Sequence, residues 1–180
     1  MLTLVLADCD MKVKPGAIHD ENSQPELVHF SLMLANDSKL GEKRELKTIV
    51  HTRYGKIFRF EADVEIPEKL EDFKQLLVDT VKGNPPKGVT YETGLKLMDV
   101  LDLELGEKIV MSPGGERTNP FEFFKRSKDY VVVIGGFRKV DFISPVYEWA
   151  DKSISISSNL KKTWSVAAEV IVAYRGCSLE

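Results

Sequence analysis

The sequence predicts an α/β fold, with a mixed or parallel sheet flanked by helices, built as one domain over residues 1–180. Three observations carry this reading. Strand-like apolar runs alternate with helix-like segments along most of the chain. The run Tyr130-Val-Val-Val-Ile-Gly135 has the continuous β-branched character of a strand buried on both faces. A length of 180 residues, 43% hydrophobic and 29% charged, suits one globular domain with a sizeable core, and no repeat or linker divides it.

Taken in order, Leu2 to Ala7 is an apolar first strand, and Asp8 to Ser23, with Pro15-Gly16 and Asn22-Ser23, reads as a long surface loop. Leu27 to Ala35 is nearly all apolar and is compatible with a buried strand. Pro25 just ahead of it favours a helix, because proline suits a first helical position. Leu46 to Thr52 and Lys56 to Ala62 flank Arg53-Tyr54-Gly55 as a hairpin. Leu70, Phe73, Leu77 and Val81 form the stripe of an amphipathic helix that ends at Gly83 and Pro85-Pro86. A second helix is expected between Glu92 and Leu103, and a short strand over Lys108 to Met111 leading into Pro113-Gly114-Gly115. Asn119-Pro120 supplies a cap and a first helical residue for a short helix. A last helix, Lys161 to Arg175, is apolar nearly all round, as in a deeply buried helix or half of a subunit contact.

Composition excludes several classes. No window is long and apolar enough to span a bilayer, and Met1 to Ala7 has no leader character, so the chain reads as soluble, cytoplasmic and without a membrane partner. Cys9 and Cys177 are far apart, and His19, His29 and His51 are scattered, which suggests neither a disulfide framework nor a metal site. A net charge of −3 leaves any nucleic-acid contact to local basic patches. The strand ending in Gly135-Gly136-Phe137 is where a nucleotide-like ligand commonly binds, since glycine lets the backbone turn and be approached closely.

Five segments in register resemble the SPOUT-class pseudouridine N1-methyltransferases of ribosome biogenesis. They are Gln24-Pro25-Glu26-Leu-Val-His29 with Leu32 to Ser38, Ile49-Val-His-Thr52, Gly135-Gly136-Phe137 with Lys139, Ile154-Ser-Ile156, and the final helix with Trp164. The resemblance implies a trefoil-knotted α/β fold with its knot region at about 107–180. It also implies a homodimer, S-adenosylmethionine as methyl donor with S-adenosylhomocysteine as product, and small-subunit ribosomal RNA as substrate. Ribosomal assembly proteins are further implied partners. Three loops are expected to hold the donor. They are Met111 with its following turn, Gly135, Gly136 and Phe137 with Lys139, and Ile154, Ser155, Ile156, Ser157, Ser158 and Asn159.

Glu26 stands where the family has Asp and is the candidate acid–base residue, able to take the proton that leaves N1 of the base. A carboxylate favourable to a helix N-terminus would look the same. Gln24 replaces the motif's Arg, and the loop around Lys139 is two residues shorter than the family's. Where the family carries Thr-Arg-aliphatic-Pro-Arg and a further Arg, this chain has Val64-Glu65-Ile66-Pro67-Glu68 and then Glu71-Asp72, so three expected cations are anions. RNA contacts are then expected from Arg53, Arg59, Arg138 and Lys161, with Lys43-Arg44 and Lys162 in reserve. Two other readings stay open. One is a ribosome-assembly or RNA-binding factor of the same fold with weak or no catalysis, and the other a related methyltransferase with a different substrate.

Overall fold

The computed structural model describes residues 1–138 and 141–176. Seven strands form one sheet: β1 (Leu2–Cys9), β2 (Leu46–Thr52), β3 (Lys56–Phe60), β4 (Val89–Thr93), β5 (Glu107–Arg117), β6 (Tyr130–Gly135) and β7 (Lys152–Ser155). Their order is β4-β3-β2-β1-β6-β5-β7. The β2/β1, β1/β6, β6/β5 and β5/β7 pairs are parallel, and β2/β3 and β3/β4 are antiparallel, so the sheet is mixed. Among the described residues seven α-helices accompany it: α1 (Pro25–Asn36), α2 (Lys39–Glu42), α3 (Leu70–Val81), α4 (Leu97–Leu101), α5 (Pro120–Phe123), α6 (Val146–Trp149) and α7 (Thr163–Gly176).

Alternation sorts side chains to the two faces of the sheet. Leu2, Leu4 and Leu6 of β1 and Tyr130, Val132 and Ile134 of β6 join α1, α3 and α7 through Val28, Leu32, Phe73, Leu77, Val170 and Tyr174. Val5, Ala7, Val131 and Val133 face the other way, against Leu97, Val100 and Leu101 of α4 and Val146 of α6. The central strands are therefore apolar at nearly every position, as the 130–135 run predicts.

Pro25 begins α1, and the Asn119 side chain accepts from the Phe121 amide at the start of α5, as the capping residues predict. Elsewhere the structure differs. The 8–23 segment is not a surface loop throughout, because β1 continues to Cys9 and Met11, Val13 and Ile18 enter the core. Residues 89–93 are the edge strand β4 and only 97–101 are helical, since Gly94 at φ 81 breaks the chain between them. β5 runs through Pro113-Gly114-Gly115 to Arg117. Its far half pairs with β7 past a bulge, and a Cβ at Gly115 would lie 2.7 Å from the Ile154 backbone, so only glycine permits that approach.

Candidate active site

β1, β2 and β6 are parallel, so Cys9, Thr52 and Gly135 end on one edge of the sheet. On that edge a cavity of about 390 Å³ opens beyond β5, β6 and β7. Its walls include Met111, Gly135, Phe137, Ile154, Ser155, Ile156, Ser157 and Asn159, so all three expected loops meet there. Lys161 stands at the same cavity. Gly136 and Ser158 do not line it, and Lys139 lies outside the described residues.

The glycine pair serves close approach rather than a left-handed turn, because neither residue has a positive φ. A Cβ at Gly135 would meet the Phe137 ring at 2.6 Å, on the cavity side. A Cβ at Gly136 would overlap Cys9 Sγ and approach its Cα to 3.0 Å, inside the sheet. The Gly135 carbonyl accepts from Thr163 Oγ1 at 2.8 Å, which ties the end of β6 to the start of α7. Ser155 Oγ donates to the Ser157 carbonyl at 2.9 Å, and the Asn159 amide donates to Ser157 Oγ at 3.2 Å, so the 155–159 loop is internally ordered. Ile154 is buried in the core and also lines the cavity, so strand packing and ligand contact are compatible roles for one residue.

Sequence reasoning missed the wall supplied by residues 141–147. Phe142 stacks edge-on against both Phe137 and Tyr147, and the Tyr147 hydroxyl donates to Asp141 Oδ1 at 2.7 Å and lies 3.2 Å from Ser112 Oγ. Burial, and then the Asp141 carboxylate, push the Tyr147 phenol up against the opposing effect of Ser112. Ser112, Pro113, Gly114, Leu160, Thr163 and Val166 complete the lining. The signal in the sequence was the recurrence of Phe137, Phe142 and Tyr147 in a stretch with neither helical nor strand period.

Asp8 holds that wall in place. Its side chain is 1% exposed, and its backbone has a φ of 52. Oδ2 accepts from the Ile143 and Ser144 amides at 2.7 and 2.8 Å, Oδ1 accepts from Ser144 Oγ at 2.8 Å, and His51 Nδ1 lies 3.3 Å from Oδ1. Burial works against ionisation, but His51 and the Ser144 and Ile143 donors outweigh it and hold the carboxyl down at about 2. Burial, with Asp8 and Asp10 alongside, pushes the Cys9 thiol up, which makes it an inert core residue and not a nucleophile.

Glu26 is not without an oriented partner. Although Gln24 replaces the motif's arginine, Arg138 Nη2 donates to Glu26 Oε1 at 2.5 Å, one residue past Phe137 of the cavity wall. Through this pair Glu26 is tied to the residue that follows Phe137, and neither Glu26 nor Arg138 is in the lining. Three other basic candidates, Arg53, Arg59 and Arg44, are also paired. Arg53 Nε lies 2.7 Å from Asp10 Oδ1, Arg59 pairs with Glu92, and Arg44 Nη2 is 2.6 Å from Asp63 Oδ2. Glu65, Glu68, Glu71 and Asp72 are exposed. Their segment is fixed to α1 through its backbone, the Pro67 carbonyl lying 2.6 Å from His29 Nε2 and the Val64 carbonyl accepting from Asn36 Nδ2 at 2.6 Å.

The architecture is similar to the crystal structure of Archaeoglobus fulgidus Nep1 bound to S-adenosylhomocysteine, with a TM-score of 0.79 over 99% of each chain at 18% identity. That likeness concerns the fold, and the expectation of an α/β fold with a mixed sheet flanked by helices agrees with it. In sequence, the chain is similar to the ribosomal RNA small subunit methyltransferase Nep1 of Methanothrix thermoacetophila, 29% identical over 170 residues, covering 89% of this chain and 74% of the relative. The Nep1 of Thermoplasma acidophilum is 28% identical over 160 residues, covering 84% and 69%. The family model described as EMG1/NEP1 methyltransferase matches residues 5–175, which takes in every described cavity residue and the Glu26 pair, and the chain belongs to that family.

Proposed function

We propose that this chain is an S-adenosylmethionine-dependent methyltransferase acting on N1 of a pseudouridine in small-subunit ribosomal RNA, as a cytoplasmic homodimer. The observation that carries the reading is the 390 Å³ cavity where the three family loops converge. Its size and mostly apolar walls fit a nucleoside-like ligand. Ile154, Ile156 and Phe137 offer surfaces for an adenine ring, and the 155–159 backbone offers polar groups for its edge. Asp141 gives a carboxylate for the donor's cationic centre, and Lys161 a cation for its carboxylate. When bound, the donor supplies an electrophilic methyl group on a sulfonium and leaves as the thioether.

The protein's own work is positional. Asp8 and the 141–147 wall keep the cavity shaped. The base loses its N1 proton as the new N–C bond forms, and Glu26, steered by Arg138, is the carboxylate assigned to receive it. Calorimetry with S-adenosylmethionine, followed by methyl transfer to a pseudouridine-containing small-subunit stem-loop, tests the reading. Absence of donor binding overturns it. Donor binding without transfer to any RNA favours the second reading, an RNA-binding assembly factor, for which the exposed Glu65, Glu68 and Asp72 speak.

The acidic segment has its own expected result. Glu65→Arg with Glu68→Arg tightens RNA binding and steepens its salt dependence by roughly one to two units of slope, because each further phosphate that is neutralised releases a counterion. Unchanged affinity in the double variant, by salt titration, would show that this face does not meet RNA, and weaker binding would show that the segment does not correspond to the family's arginine motif.

Homodimerisation is supported by apolar surface on α1 and α7. Phe30 is 45% exposed and Val172 38%, and Phe30, Met33, Leu34, Ile66 and Trp164 line one groove. Light scattering at micromolar concentration is expected to give the mass of two chains, and Trp164→Glu to give one. A monomeric mass for the wild type would remove the dimer from the proposal.

A further inference from the structure

Beneath the β2–β3 turn lies a second cavity, of about 450 Å³, lined by Lys12, Lys14, Lys56, Tyr54 and Asp20. We propose that it takes a nucleotide flanking the base to be methylated, with Tyr54 as stacking surface and the three lysines on the adjoining phosphates. The proposal rests on the RNA reading above and adds the path of the strand.

Placement is the first support. The turn follows Thr52, at the carboxyl end of β2, on the same edge of the sheet as Gly135. From β6 across β1 to β2 is two strand spacings, about 10 Å. An unstacked strand with its target base at the mouth of the first cavity, against the donor, covers that gap within a couple of nucleotides.

Charge is the second. Arg44, Arg59, Arg126 and Arg138 are engaged by Asp63, Glu92, Glu45 and Glu26. Here three lysines face one carboxylate, Asp20, which holds Lys12 at 3.0 Å. Glu71 meets the same loop at His19. Lys56 is oriented by the Tyr91 hydroxyl at 2.8 Å, and Lys14 is exposed. A polyanion binding at this cavity therefore meets net positive charge on a protein whose overall charge is −3.

The third is an aromatic ring with no place in the core. Tyr54 is 49% exposed, at the tip of the turn, with the Lys12 ammonium 5.9 Å from its ring centroid. Exposed aromatics beside cations are the usual platforms for unpaired bases. Just past the end of β1, Gln24 Oε1 and Arg53 Nη2 are buried without a hydrogen-bond partner, although Gln24 and Arg53 both contact Asp10. Polar atoms left in that state are expected to acquire partners from a ligand or water.

The test uses a pseudouridine-containing stem-loop and fluorescence anisotropy over a salt series, with calorimetry on S-adenosylhomocysteine beside it. Tyr54→Ala is expected to weaken RNA binding roughly tenfold with the salt slope kept, and Tyr54→Phe to restore it. Lys12→Gln, Lys14→Gln and Lys56→Gln together are expected to lower the slope by about two units. Thioether affinity stays at the wild-type value in each variant. RNA bound equally well by wild type and variants overturns this site and leaves the methyltransferase reading standing. Failure of the wild type to hold any RNA overturns both.

Discussion

Replacing Gly135 with valine is expected to lower affinity for S-adenosylmethionine by about 100-fold or more while the circular dichroism spectrum stays that of the wild type. The backbone at Gly135 is outside the left-handed region, so a side chain costs no torsional strain. What it meets is the Phe137 ring, at 2.6 Å from the new Cβ, and a ring can move where backbone cannot. The displaced ring and the valine methyls then share the 390 Å³ in which the donor must fit. Gly136→Ala gives the opposite pattern, loss of stability by about 1–3 kcal/mol, because its Cβ presses on Cys9 inside the sheet. Calorimetry and thermal unfolding on both variants separate the two effects. Unchanged donor affinity in Gly135→Val would place the donor site elsewhere.

Removing the Asp8 carboxylate is expected to cost about 3 kcal/mol of stability and to weaken donor binding at the same time. Asp8→Ala leaves the Ile143 and Ser144 amides without their acceptor and loosens the segment that carries Asp141, Phe142 and Tyr147 into the cavity. Asp8→Asn keeps the size, tolerates the φ of 52 and retains one acceptor oxygen, so its loss is smaller. Acid should expose the same contact. The folded-state pKa lies below the ordinary 3.8, at about 2, so the carboxylate's stabilisation is complete above the ordinary value and disappears as pH falls through the folded one. Urea unfolding from pH 5 to pH 2 should therefore show the wild type losing about 2 kcal/mol more than Asp8→Asn. Parallel losses in the two proteins would mean that the carboxylate does not carry the tether.

Much of the architecture is legible because burial leaves a local trace. The 130–135 run is apolar at every position because helices cover both faces, and the stripe at Leu70, Phe73 and Leu77 has the period of the one helix face that is buried. β4 is not legible, since Thr90 and Glu92 look outward from a sheet edge and only Val89 is buried. The three donor loops could be named by resemblance, but what fixes them is non-local. Arg138 and Glu26 are 112 residues apart, and Asp8 lies 135 residues before Ile143. No periodicity records such pairs, and a substitution that removes a local partner, as Gln24 does, is offset from a segment that a linear reading treats separately.

The backbone anchoring of residues 64–67 bears on how the surface charge can change. Because the Val64 and Pro67 carbonyls make the attachment to α1, the exposed side chains at 65 and 68 take no part in it. Their sign can be reversed by substitution with little structural penalty. What changes is the long-range field that an approaching polyanion meets, and hence its encounter rate, most strongly when salt is low. If RNA crosses this face, positions 65 and 68 act as a rheostat for its capture speed, set separately from the architecture that forms the cavity.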